Sequence, residues 1–180
     1  MKTSLTYGFF MALGGALLSM ALYFLGFHSD VDKLQTAQWI GSGGGLLIGI
    51  TCIVLAMRER RANTPPTTGW GYGSALGTGV LTGLFGCVFG AVYNYIYFTV
   101  INRGMVDLIF QAQVAKMEAK GMSSDQIEKI EPMMRKMMSP VMTTIWGLVV
   151  GFVFCVLIAL VAAAFVKSRA AAQPATPPVV

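Results

Sequence analysis

The sequence predicts an all-α, polytopic membrane protein: four transmembrane helices in a glycine-rich bundle, with an extracytoplasmic helical hairpin. Three observations carry that prediction. Leu5–Phe27, Leu34–Met57, Thr67–Asn102 and Val141–Val166 contain no Asp, Glu, Lys or Arg, and each holds an apolar run long enough to cross a bilayer, which takes ~20 residues. Only 12% of the 180 residues are charged and 55% are hydrophobic, whereas a soluble domain carries roughly 25% charge. The chain also has 21 glycines, most of them inside apolar runs rather than in turns.

The spans are expected at about 6–27, 37–57, 73–101 and 141–166 within one membrane domain, 1–169. What is left is a helical insertion, 103–139, and a Pro-rich tail, 170–180, expected to be disordered. No length remains for a separate soluble catalytic domain. The first run, preceded by Lys2 and containing Ser19 and Ala21, has some features of a secretory signal. Its apolar stretch continues through Leu22–Phe27, beyond the ~7–15 residues of a signal core, so a retained helix is favoured.

Lys and Arg set the orientation. The connection after the second span reads Met57-Arg-Glu-Arg-Arg-Ala62, the last span ends at Lys167 and Arg169, and the first connection holds Asp30 and Asp32 against Lys33. The positive-inside rule places both termini and Arg58–Tyr72 in the cytoplasm and Arg103–Pro140 outside. With the basic residues explained by topology, the net charge of +5 carries no implication of nucleic acid.

Glycine spacing predicts the packing. The second span carries Gly41, Gly45 and Gly49; the third Gly79 with Gly83 and Gly86 with Gly90; the fourth Gly147 and Gly151, followed by Cys155 and Ala159. Lipid offers no hydrophobic drive between helices, so small residues four apart supply close backbone approach instead. Such ladders serve packing within one chain or contact with a partner helix.

The insertion predicts two amphipathic helices. Met105–Lys120 places Val106, Ile109, Phe110, Val114 and Met117 on one face. Gly121 suits a C-terminal cap. Ser123 and Gln126 match a capping box that opens a second helix, with Ile127, Ile130, Met134 and Met137 as its stripe and a kink expected at Pro132. Met133, Met134, Met137 and Met138 flank Arg135 and Lys136; this group reads as packing or lipid contact, as a partner surface, or as thioether ligands for Cu(I), with packing the ordinary use of Met.

Reactive chemistry is sparse. No Asp, Glu, Lys, Arg or His lies in the apolar cores, where ion-coupled transporters usually place one. Asn94, in Tyr93-Asn-Tyr-Ile-Tyr-Phe98, is the most polar side chain within a span, and the tyrosines around it read as an interfacial belt. Cys52, Cys87 and Cys155 are scattered through three spans and His28 stands at a helix end. From these no metal site, cofactor site or catalytic constellation is expected, and the chain is read as a non-enzyme.

The order of elements, the segment Tyr97-Phe-Thr-Val-Ile-Asn102, the stretch Gly121-Met-Ser-Ser-Asp-Gln-Ile127 and the last span ending in Lys167 give the chain a family likeness. It resembles domain of unknown function 4199, a set of small bacterial integral membrane proteins, over about Thr6–Lys167, with Arg103 where the family often has proline. The resemblance implies a bacterial cytoplasmic membrane and brings no activity or functional residues. Two functions are therefore expected to compete: a scaffold or accessory subunit contacting other membrane proteins, or a small channel or transporter acting as a homo-oligomer.

Overall fold

The computed structural model describes residues 1–65 and 68–166; the expected tail, 170–180, and the basic residues Lys167 and Arg169 lie outside them. Among the described residues six α-helices follow one another: α1 (Lys2–Phe24), α2 (Val31–Ala62), α3 (Tyr72–Ile96), α4 (Met105–Glu118), α5 (Ser124–Met137) and α6 (Pro140–Val166). A π turn, Tyr97–Ile101, extends α3. The helices α1, α2, α3 with its π extension, and α6 are long and apolar enough to cross a membrane.

The bundle is apolar on its outside. Only 11% to 33% of the most apolar window of each long helix is buried, and Leu17, Leu47, Val161 and Phe165 stand 63%, 67%, 62% and 83% exposed. In water, a continuous apolar surface on that scale is an aggregation liability; in a bilayer it is the surface that lipid tails require.

α2 and α3 touch each other, and both touch α1 and α6. The four helices thus form a rhombus with α1 and α6 at its far corners. The N-terminus, the α2–α3 connection and the end of α6 share one end, called here the loop end, where Thr3 Oγ1 donates to Glu59 at 3.3 Å and Arg61 donates to the Val166 carbonyl at 3.2 Å. The opposite, hairpin end carries α4 and α5.

Close approach of backbones sets the middle of the bundle. A Cβ placed on Gly83 would lie 2.5 Å from Cys155 Cβ on α6, and one on Gly79 would lie 2.8 Å from Ala159 Cβ and also strike Met57 of α2. Gly86 lies against Met11, and a Cβ on Gly8 of α1 would lie 2.6 Å from Phe85 Cβ and 2.9 Å from the Gly86 nitrogen. α3 is therefore the hub, and its glycines are the positions where the other three helices converge. The hydroxyls buried there are satisfied by backbone: Thr82 donates to the Thr78 carbonyl one turn earlier at 2.8 Å, and Ser4 donates to the same carbonyl from α1 at 3.3 Å.

The other glycines of the predicted ladders divide. Gly41 meets Leu22 at 4.0 Å, Gly49 meets Met11 Sδ at 3.9 Å and Gly151 meets Cys87 Sγ at 3.5 Å, all measured from an added Cβ. Gly45, Gly90 and Gly147 meet nothing within 4 Å, which corrects the expectation of direct contact there. Gly45 and Gly147 are exposed. The α1 contact on α2 also runs through Gly44, against Leu18, and Ile48, against Gly14. Gly45 falls between Gly41 and Gly49 around the helix, but its side of α2 meets a gap shared with Gly15 of α1, where an added Cβ likewise has nothing within 4 Å.

Helix ends also differ from the expected spans. α1 stops at Phe24 rather than 27, because Gly26 takes φ 77° and Phe27 N–H bonds to the Leu22 carbonyl at 3.0 Å, a glycine stop that an apolar count passes over. Gly121, at φ 84°, ends α4 in the same way, with Met122 N–H on the Met117 carbonyl at 3.1 Å. Gln126 Oε1 accepts from the Ser123 N–H at 3.1 Å, the reciprocal half of the capping box. α5 then runs through Pro132 as one helix.

Candidate functional site

The hairpin end holds the polar cluster with the most interlocked geometry. Tyr97 opens the π turn, in which Asn102 N–H bonds to the Tyr97 carbonyl at 2.7 Å. The wider turn shifts the Tyr97 ring inward, leaving it 3% exposed, and π turns of this kind concentrate at functional positions. Tyr97 Oη lies 2.5 Å from Nδ1 of His28, which belongs to the α1–α2 connection. Asn102 Nδ2 donates to the His28 carbonyl at 3.2 Å and to Tyr97 Oη at 3.4 Å.

The direction of these bonds is assigned from the network. The amide of Asn102 is a donor at Tyr97 Oη, so the phenol turns its own proton to His28 Nδ1, which leaves the imidazole proton on Nε2. Burial holds the His28 pKa below its ordinary value, in agreement with a neutral ring accepting that bond. Tyr23 stacks edge-on against Tyr97 at 6.2 Å, and Leu34, Phe98 and Met105 close the surroundings. Tyr93 donates to the Ala16 carbonyl at 3.3 Å. Tyr93 and Tyr97 therefore work inside the bundle, a correction to the interfacial-belt reading; of the three, Tyr95 keeps an exposed position at 47%.

Chemically this cluster is a tie. It fastens the α1–α2 connection to the end of α3 beneath the hairpin, and no group of three or more His, Cys, Asp or Glu that could hold a metal ion occurs among the described residues. A second tie spans α3 and α6, where Thr144 Oγ1 donates to Asn94 Oδ1 at 3.4 Å. Cys87 Sγ and Cys155 Sγ approach to 4.0 Å across the same pair of helices.

The hairpin is docked. Met105, Ile109 and Ala112 of α4 pack on Leu34 of α2, and Ile127 of α5 is buried. Arg135 joins the arms: it donates to Asp107 on α4 at 3.1 Å and to Glu131 at 2.7 Å, and its guanidinium lies 4.3 Å from the Phe110 ring centre. The four methionines separate onto two faces. Met134 and Met138 are half-buried, whereas Met133 and Met137 stand 67% and 49% exposed, so Met137 is not shielded as its stripe position suggested.

Several cavities interrupt the surface. One of about 300 Å³ between α1 and α2 is lined by Gly15, Ser19, Gly41, Gly45 and His28, and one of about 160 Å³ between α3 and α6 by Gly90, Asn94, Thr144 and Gly147. Each of the three ladder glycines without a contact thus faces a gap. The His28–Tyr97–Asn102 relationship escaped the sequence because its members lie 69 and 74 positions apart in two of its bonds. Its one local signal is a Tyr and an Asn framing the end of an apolar run.

Fold and site together define a small four-span membrane protein whose charged residues stand at the ends of the spans and in the hairpin. The chain belongs to the family described as protein of unknown function (DUF4199), whose model matches residues 6–168. No curated protein and no solved structure gives a significant match.

Proposed function

We propose that this protein is a non-enzymatic membrane scaffold or accessory subunit that contacts other membrane proteins at its hairpin end. The observation that carries this reading is the closed middle of the bundle. Gly79, Gly83 and Gly86 of α3 lie against Met57, Ala159, Cys155 and Met11 from the other three helices, which leaves the protomer's axis filled at that level. A filled axis argues against a solute path through one protomer and leaves the outer surfaces as the working parts. Met133 and Met137, side by side at i and i+4 on the outer face of α5, supply a flexible thioether surface of the kind suited to adaptable contacts.

The orientation completes the proposal. Arg58, Arg60 and Arg61 lie at the loop end, and Lys167 and Arg169 follow the last span in the sequence; the positive-inside rule puts that end in the cytoplasm. The hairpin then faces outward from a bacterial cytoplasmic membrane, the location that the family likeness supports.

Isolation of the full chain from its own membranes in a mild detergent tests the reading. A second protein in fixed stoichiometry is expected with the wild type and is lost from the Met133→Lys/Met137→Lys variant, whose melting temperature stays unchanged. Isolation as a lone homo-oligomer that conducts ions in liposomes contradicts the proposal and favours a channel.

A further inference from the structure

A large cavity lies away from the hairpin, at the loop end. It is a groove of about 620 Å³ between α2 and α6, the pair of long helices at the sparsely packed side of the rhombus. Its walls are apolar stripes at helical spacing, Ile50 and Val54 on α2 facing Phe154, Leu157, Val161 and Phe165 on α6, and its end is marked by Arg58 and Arg61. Together these make a cleft with an apolar floor and a cationic mouth.

Charge at the mouth is not cancelled from within the described chain. Glu59, the acidic residue between the two arginines, turns to the opposite side and accepts from Thr3 of α1. Arg61 spends one N–H on the Val166 carbonyl, leaving most of the five donors of a guanidinium free. Arg58 makes no ion pair among the described residues and is exposed.

Length decides between occupants. From Ile50 to Arg61 the groove follows α2 for roughly 16 Å at 1.5 Å per residue, about half of the ~30 Å hydrocarbon thickness of a bilayer. A transmembrane helix of a partner needs a face of the full thickness, whereas a lipid acyl chain reaches from the headgroup level to the midplane. We infer that the α2–α6 groove is a binding site for an anionic phospholipid of the leaflet at the loop end, its acyl chain between Val54 and Leu157 and its phosphate on Arg58 and Arg61. Guanidinium pairs bind phosphate oxygens bidentately, and basic pockets between transmembrane helices are a recurring way of holding anionic headgroups.

Native mass spectrometry of the purified full chain with dioleoylphosphatidylglycerol or dioleoylphosphatidylcholine, lipids of equal acyl chains, tests the site. One phosphatidylglycerol is expected to be retained roughly thirtyfold better than phosphatidylcholine, the scale set by two basic contacts to an anionic lipid. Arg58→Gln/Arg61→Gln removes that preference, and Arg60→Gln, on another face, keeps it. Val161→Trp fills the groove from a position already 62% exposed and abolishes the tight adduct, which decides the matter even if the double arginine variant fails to fold. Equal retention of the two lipids, or a preference that survives both the arginine and the Val161→Trp changes, overturns the proposal. So does a polypeptide held on this face of the isolated wild type, absent from Val161→Trp, with no phosphatidylglycerol retained.

Discussion

His28 Nδ1 and Tyr97 Oη stand 2.5 Å apart, joining a connection between two spans to the π turn that ends a third. The bond gives the hairpin end a fixed base. Leu34 and Met105 pack around Tyr97, so α4 sits directly on residues that this tie positions. Tyr97→Phe removes the hydroxyl and leaves His28 and Asn102 without their shared partner. A loss of about 1–2 kcal/mol is expected, read as a lower melting temperature in detergent; an unchanged value would show that the bond holds nothing in place.

The same pair gives stability a pH dependence of known sign. Burial lowers the folded-state pKa of His28 below the ordinary value of about 6.5. The unfolded chain therefore takes up a proton at a pH where the native ring stays neutral. The His28 contribution is complete above about 6.5 and declines as pH falls below it toward the lowered native value. His28→Gln has no such titration, and its melting temperature is expected to vary less between pH 7.5 and pH 5.5 than that of the wild type.

Glycines of one composition should respond oppositely to enlargement. Gly83→Leu drives a side chain into Cys155, and a cost of roughly 1–3 kcal/mol is expected from overpacking. Gly45→Leu meets open space and should leave thermal stability unchanged or slightly raised, since Leu is the better helix former. Equal melting temperatures for the two variants contradict the hub arrangement around α3.

Topology is open to thiol labelling. In a background without Cys52, Cys87 and Cys155, a cysteine at Ser124 should react with an impermeant maleimide in intact cells, and one at Thr64 only after permeabilisation. The reverse pattern inverts the orientation.

Hydrogen exchange should find the hairpin ordered. Slow amides are expected across Ile109–Met117 and Ile127–Met138. Arg135→Ala removes the links to Asp107, Glu131 and the Phe110 ring, so exchange in α5 should quicken while the spans are unaffected. Random-coil exchange across α5 in the wild type would mean that the arm is not docked.

Features legible in the sequence are those written in neighbouring residues. Spans follow from uncharged apolar runs, the α4 stop from Gly121, and the start of α5 from Ser123 and Gln126. Gly26 carries the same kind of signal but lies inside an apolar run, where composition conceals it. The glycine ladders were legible on α3, where Gly79, Gly83 and Gly86 sit at contacts, and misleading at Gly45, because spacing along one helix does not show what stands opposite it: Gly15 of α1 brings no side chain there and leaves a gap. His28 read as an isolated side chain, since its partners come from α3 and only the packing of α1, α2 and α3 brings them together. The α2–α6 groove likewise needs two helices in register before Arg58 and Arg61 of α2 stand at the end of a cleft walled by Phe154 and Leu157 of α6.

The central claim, that the protein works by holding a partner at its hairpin end, is tested most directly by photo-crosslinking from that surface. With benzoylphenylalanine in place of Met133, irradiation of intact cells is expected to give one discrete heteromeric adduct, and the same probe at Leu47, on the lipid-facing surface of α2, should not give it. Crosslinking at Met133 to lipid alone, or only to a second copy of the chain, would contradict the account.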